Sequence, residues 1–285
     1  MSPTGSHPKT ERTYMEPKLD NVDIEVSDNI AVVTLDRPPV NALDTHTWTE
    51  LATAFEFLGA RRDVRVAIFR AKGKVFCAGV DLVDSRRRHR ADGRSEDGAP
   101  QGDPRDQIDA GRLPRKAFWA LYDCAVPVIG AIDGKAVGAG AVLVALCDMV
   151  VATPSFELAL TEINVGVLGG VKAAQRMVGP YLAKRMLVTG EYVDADELYR
   201  RGLLEAVVEP EDLMSTARAL AVKIASKSPI AVRLAKESAN RVEYMDLKEG
   251  YRTEQDYTTR VKRYADSDEA GSAFVERRDP QFTWE

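Results

Sequence analysis

The sequence predicts an α/β fold for about its first 210 residues and helices from there to the C-terminus. Three observations carry that expectation. Apolar runs of strand length, at Ile30–Leu35, Val64–Arg70, Val126–Ile132 and Met149–Thr153, alternate with stretches of helical period, the signature of a largely parallel sheet. Glycine concentrates at the junctions between them, above all between Ile129 and Met177. From Ala173 onward the helical period dominates.

In chain order, residues 1–20 are polar and turn-rich without a period, so they are expected to lie outside the fold. Val22–Val26 alternates with polar residues and leads through Ser27-Asp28-Asn29 into Ile30–Leu35, a hairpin ended by Arg37-Pro38-Pro39. Asp44 is placed to cap a helix whose apolar residues Trp48, Leu51, Ala52, Phe55 and Leu58 recur every three or four positions, to about Arg61. Val64–Arg70 follows as a buried strand, then the turn Lys72-Gly73-Lys74. Val83 to Gly111 is charged, aperiodic and rich in glycine and proline, which predicts a long exposed loop. A helix over Arg115–Asp123 returns the chain to the strand at Val126, and Asp133-Gly134 turns it again. Gly138-Ala139-Gly140 opens a glycine-free apolar run, Ala141–Leu146, expected as a buried helix before the strand Met149–Thr153. Helices are expected over Ala174–Val188, Asp194–Arg201, Pro210–Ser226, Pro229–Tyr244 and Leu247 to about Tyr264, with Ala206-Val207-Val208 as a short last strand. The expected division is a core over 21–209 and a helical region over 210–285.

Bulk properties narrow the function. A chain of 285 residues fits one large domain with an appendage better than two independent domains. Its 39 basic and 44 acidic residues are interspersed and leave a net charge of −5, which supplies no overall basic footprint for nucleic acid or an anionic membrane. No apolar run approaches the roughly 18 residues of a membrane span, so a soluble, cytoplasmic protein is expected. Cys77, Cys124 and Cys147 lack metal-type spacing and read as buried thiols. His7, His46 and His89 fall in the tail, at a helix start and in the charged loop. With no histidine base, no HExxH, no GxSxG, no P-loop and no complete GxGxxG, the zinc, triad-hydrolase and nucleotide classes are set aside.

Two turns and one acid remain. Cys77-Ala78-Gly79-Val80 and Gly138-Ala139-Gly140 each follow an apolar run, and glycine there lets the backbone approach a ligand closely. If the N–H groups of Val80 and Ala139 converge, they form an oxyanion hole; the same spacing also describes two ordinary strand-to-helix turns. Glu162 lies within LTEINVGVLGG, an apolar segment broken by glycine, where a carboxylate is either hydrogen-bonded structure or chemistry.

RPPVNALD, KVFCAGVDL, VPVIGAIDGKAVGAGAVLVALCDMVVA and FELALTEINVGVLGG, in that order, resemble the crotonase, or enoyl-CoA hydratase/isomerase, superfamily over about Val22 to Phe274. The resemblance implies a spiral of ββα units, and a C-terminal helical region that assembles trimers or hexamers built as dimers of trimers. It implies an acyl-CoA thioester as substrate, with CoA part of that substrate and no separate cofactor or metal. It assigns the oxyanion hole to the N–H groups of Val80 and Ala139, acid–base chemistry to Glu162, and a place beside the catalytic water to Gly170. Substrate-binding positions carried over are Asn41, Ala42, Leu43, Ala78, Gly79, Asp81, Leu82, Gly138 and Val142.

This chain departs from the family pattern at one decisive place. The first of the two glutamates used by the family's hydratases falls on Val142, and Lys172 and Ala173 replace small residues after Gly170. Hydration or isomerisation of an enoyl-CoA by a single glutamate ranks first on the resemblance. Behind it stand a hydratase-lyase and a ring-cleaving acyl-CoA hydrolase, the latter resembled by YRTEQDYTTR; a non-catalytic acyl-CoA-binding protein is the competing class. Arg86-Arg87-Arg88-His89-Arg90 either pairs with CoA phosphates or is simply solvated. Tyr251 and Tyr257 either reach a substrate across an assembly or pack in a core or interface.

Overall fold

The computed structural model describes residues 15–88, 105, 108–109 and 111–284. Its organising feature is a pair of sheets that the chain visits alternately. Strands β1 (Val22–Ser27), β2 (Ile30–Leu35), β3 (Val66–Ala71), β5 (Val128–Ile132), β7 (Met149–Ala152) and β10 (Ala206–Val207) form one sheet in that spatial order. Strands β4 (Val75–Cys77), β6 (Lys135–Val137), β8 (Glu157–Ala159) and β9 (Tyr192–Asp194) form the second. Each turn of the spiral therefore gives one strand to each sheet: β3 then β4, β5 then β6, β7 then β8. Pairing is parallel except for the β1/β2 hairpin and the β8/β9 edge.

The hairpin turns through Asp28 and Asn29, both at positive φ (52° and 63°), the conformation a two-residue loop demands and these residue types tolerate. Strand β2 is buried along its whole length. Its alternate residues serve two cores: Ala31, Val33 and Leu35 face the main one, whereas Ile30 and Val32 join Val66, Ile68, Ile129 and Val151 against Leu213, Ala217 and Ala221. Helix α1 (Thr45–Ala60) starts where Asp44 accepts the N–H of Thr47 at 2.8 Å, as a capping residue should. It lays Trp48 and Phe55 into the main core, where Phe55, Phe69 and Phe76 stack edge to face at centroid distances of 5.3 and 5.4 Å. Asp20 and Asn21 are tied to the fold because their N–H groups donate to the buried Glu50 of α1.

Several expectations are corrected. The segment expected as a loop from Val83 begins instead with helix α2 (Leu82–Arg88), started by Asp81, whose carboxylate accepts the N–H groups of Val83 and Asp84. Helix α3 (Arg112–Tyr122) starts three residues before its expected position. Most of the stretch between them, with His89 and Arg90, lies outside the described residues. Helix α4 (Ala139–Leu146) is buried throughout, as its composition requires. Helix α5 (Val171–Thr189) is broken at Gly179 (φ 76°, ψ 168°) just before Pro180, which cannot donate in a helix interior.

The C-terminal helices follow as α6 (Ala195–Arg200), α7 (Leu213–Ala225), α8 (Pro229–Val242), α9 (Leu247–Val261) and α10 (Ala265–Glu276), the last unexpected from sequence. Helix α7 packs on the outer face of the larger sheet. Helices α8 and α9 form a separate small core from Ile230, Leu234 and Tyr257. Tyr257 donates to Glu237 from within that core, while Tyr251 is exposed. No helix among the described residues is long and apolar enough to cross a membrane, and all three cysteines are buried free thiols.

Candidate active site

The two glycine turns meet. Leu43 and Val80 form a parallel bridge in which the N–H of Leu43 donates to Gly79 O (2.8 Å) and the N–H of Asp81 donates to Leu43 O (3.0 Å). In that pattern the flanking peptides serve the bridge, so the N–H of Val80 itself points away from Leu43. A methyl group on Gly79 (φ 92°) would lie 2.9 Å from Val137 O and 3.5 Å from the nitrogen of Ala139, so the second turn is in direct contact with the first. Ala139 is the first residue of α4, where an amide has no helical acceptor. Neither the Val80 nor the Ala139 N–H donates to any acceptor among the described residues. Both line one cavity of about 640 Å³.

Glu162 reaches the same cavity from a 3-10 turn, Glu162–Val165, that follows β8 and closes at Gly166 in the left-handed region (φ 75°). A methyl group on Gly138 (φ 56°) would stand 2.9 Å from Glu162 Oε1, so the carboxyl group packs against the turn that carries the Ala139 donor. Gly170 caps α5 on its other side, where an added methyl would meet Val142 Cγ2 at 2.9 Å and Glu162 Oε1 at 3.9 Å. Glu162 and Val142 thus both border the space that a Gly170 side chain would fill. Glu162 Oε2 is buried and has no hydrogen-bond partner among the described residues. Burial pushes the Glu162 pKa up, against a smaller opposing effect of its own backbone N–H.

This upward shift fixes the sign of a stability effect. The folded protein holds the Glu162 proton more tightly than the unfolded chain, so stability falls as pH rises from the ordinary value of 4.5 through the raised folded value. Glu162→Gln is therefore expected to melt higher than wild type at about pH 8, with the gap narrowing toward about pH 4, where both side chains are neutral. Thermal unfolding followed at both pH values checks this; a gap that is absent or the same at both would contradict it.

The sequence profile of the enoyl-CoA hydratase/isomerase family matches residues 25–285. The chain belongs to this family. It is similar to a (7aS)-7a-methyl-1,5-dioxo-2,3,5,6,7,7a-hexahydro-1H-indene-carboxyl-CoA hydrolase of Rhodococcus jostii, 39% identical over 254 residues, or 89% of this chain and 93% of that protein. A short-chain-enoyl-CoA hydratase of Clostridium acetobutylicum is 32% identical over 266 residues, covering 92% of this chain and 97% of that one. Among solved structures, an enoyl-CoA hydratase from Bacillus anthracis matches with a TM-score of 0.82 at 30% identity, over 93% of this chain and 100% of that chain. The ββα spiral with C-terminal helices is thus the crotonase fold, and the chain is an enzyme of that family.

The family positions taken from the sequence divide into three groups here. Glu162, Val80, Ala139, Ala78, Leu82, Gly138 and Val142 line the cavity. Gly79 and Gly170 stand directly behind that lining, holding the turns where a side chain would collide. Asn41, Ala42, Leu43 and Asp81 do not line it; they build the frame around the first turn. Asn41, buried at φ 54°, accepts the N–H of Arg37 and donates to the carbonyls of Lys72 and Val75. Ala42 O accepts from Arg37, and Leu43 is fully buried at the bridge. Asp81 accepts from Arg37 at 2.9 Å, and its carboxyl is held below the usual range chiefly by the N–H of Asp84.

The cavity also contains residues that the sequence reading had not placed there. Trp48 and Phe118, edge to face at 5.2 Å, form an apolar wall with Pro114 and Leu82. Their helical spacing reads as ordinary core, and nothing in it singles out a pocket. Thr161, Asn164 and Tyr192 form a polar rim. Of the five-residue basic run, Arg86 is exposed on α2 and outside the cavity lining, and His89 and Arg90 fall outside the described residues.

Proposed function

We propose that this enzyme opens a ring in an acyl-CoA thioester by hydrolysing a carbon–carbon bond, with Glu162 as its only acid–base group. The observation that carries the reading is the buried, unpartnered Glu162 Oε2 in the same cavity as two free backbone donors, with Val142 where the family's second carboxylate falls. In a substrate with a ring carbonyl β to the thioester, Glu162 takes one proton from water while the hydroxide adds to that carbonyl. The bond between the former carbonyl carbon and the α-carbon then breaks, and its electron pair moves into the thioester as an enolate. The enolate oxygen accepts from the N–H groups of Val80 and Ala139, donors already in place before charge develops. Glu162 returns its proton to the α-carbon, leaving a new carboxylic acid and a reprotonated thioester. One carboxyl group closes this cycle, and burial, by raising its pKa, favours its holding the proton between the two transfers. The Rhodococcus relative, a hydrolase of a dioxo bicyclic acyl-CoA, supports the assignment.

A second reading, hydration or isomerisation of an enoyl-CoA, uses the same hole and the same glutamate and is favoured by the Clostridium hydratase. Paired assays separate the two. Turnover is expected with CoA thioesters of β-oxo cyclic acids, read as loss of the ring ketone, and at most weakly with crotonyl-CoA or cyclohexenecarboxyl-CoA. The reverse preference would replace ring opening by hydration or isomerisation.

Val142 supplies a further test. Val142→Glu introduces a second carboxyl group beside Gly170, which Glu162 also borders, and is expected to raise crotonyl-CoA hydration by about 10-fold or more while lowering ring opening. Stopped-flow absorbance of the enoyl thioester measures it. A folded variant with no gain in hydration would show that the missing carboxylate is not what limits water addition.

A further inference from the structure

Thr161, Asn164 and Tyr192 line the same cavity as Glu162. We propose that Thr161, Asn164 and Tyr192 bind an oxygen of the acyl group remote from the thioester, so that the enzyme selects alicyclic acyl-CoA substrates carrying a distal ketone or hydroxyl. This rests on the acyl-CoA reading of the cavity and deepens it.

The antiparallel register of β8 and β9 builds the rim. Ala159 stands opposite Tyr192, so continuing the ladder brings Thr161, two residues past Ala159, alongside Gly190. The Asn164 side chain lies over that same glycine: a methyl on Gly190 (φ 67°) would meet Nδ2 at 2.9 Å and Oδ1 at 3.0 Å. Tyr192 is held by Lys135, whose Nζ sits 4.6 Å from the ring centroid and is itself fixed by Glu157 at 2.8 Å. Residues 28 or more positions apart in sequence therefore share one edge of the cavity, two of them against fixed neighbours.

None of the three side chains hydrogen-bonds any of the described residues. Thr161 opens the Glu162 turn, yet its hydroxyl caps no N–H. The Asn164 amide and the Tyr192 hydroxyl make no hydrogen bond with any of the described residues, although all three line the cavity that holds Glu162. A hydroxyl and an amide both donate and accept, and a phenol donates well, so the set matches a ketone or hydroxyl better than a carboxylate. Facing it, Trp48, Phe118, Pro114, Leu82 and Val142 present only carbon apart from the indole N–H, a surface for the body of a ring. Such a pocket favours the oxygenated ester twice: it gains hydrogen bonds, and the congener without oxygen strips water from the rim without replacing it.

The test uses two unreactive saturated thioesters, cyclohexanecarboxyl-CoA and its 4-oxo analogue, with binding followed by calorimetry. Wild type is expected to bind the oxo ester about 10-fold more tightly. Asn164→Ala and Tyr192→Phe are each expected to reduce that ratio by about 3-fold or more, leaving affinity for the plain ester within about 2-fold. Equal affinity of wild type for the two esters overturns the rim proposal alone. So does a ratio that survives in both variants, or an equal loss of affinity for both esters. Failure of wild type to bind either ester overturns the acyl-CoA reading together with it.

Discussion

Glu162→Gln is expected to lower kcat by about 10²–10⁴-fold while leaving the affinity for an unreactive CoA thioester nearly unchanged. The size follows from the absence of any substitute, since no other carboxylate lines the cavity among the described residues and its neighbour beside Gly170 is Val142. Glutamine keeps the shape that packs against Gly138 and removes only the ability to take and return a proton. The same residue is expected to set the pH profile. Burial raises its pKa, so the acid limb of kcat/KM should lie above the ordinary glutamate value of 4.5 and disappear from whatever activity the variant retains. Steady-state kinetics across pH, with calorimetry on a saturated thioester, measure both. Wild-type turnover in Glu162→Gln would remove Glu162 from the chemistry, and an equal loss of binding would make it a substrate contact instead.

What was legible in the sequence follows from how much chain each feature occupies. The inner strands of the larger sheet are buried on both faces, so Ile30–Leu35 and Val128–Ile132 stand out as uncharged, mostly apolar runs in which Thr34 is the one polar side chain. The smaller sheet was missed because β4, β6, β8 and β9 are three residues each, too short to show a period, and Lys135 and Glu157 pair with each other in the solvent. Helix α10 was missed for a related reason: in ADSDEAGSAFVE only Asp266 and Ala273 are buried, which leaves no apolar stripe to read. Within the site, the backbone donors were legible because close approach demands glycine at positions 79, 138 and 140. Its walls were not. Trp48 obeys the same spacing as its core neighbours, and the rim exists only once β8 and β9 pair. Asn41 has a structural task that the motif did not reveal, since its side chain bonds to Arg37, Lys72 and Val75.

Gly79→Ala tests the backbone donors, which no side-chain deletion can reach. Losing one oxyanion donor typically lowers kcat by about 10²–10³-fold, and on the proposed reading Gly79 positions the turns that carry both. Its φ of 92° strains any other residue, and the new methyl would press on Val137 O, one peptide before the Gly138-Ala139 turn. To relieve that contact the Gly79-Val80 peptide or the Val137-Gly138 peptide must shift, and a donor moves with either. Gly73→Ala supplies the control: its φ is 90°, nearly the same, but nothing lies within 4 Å of the added methyl. Both variants should lose stability to backbone strain of about 1–3 kcal/mol. Only Gly79→Ala should lose kcat by about 100-fold or more when both are assayed well below their melting temperatures. Equal activity in the two folded variants would mean that the oxyanion is held elsewhere than between Val80 and Ala139.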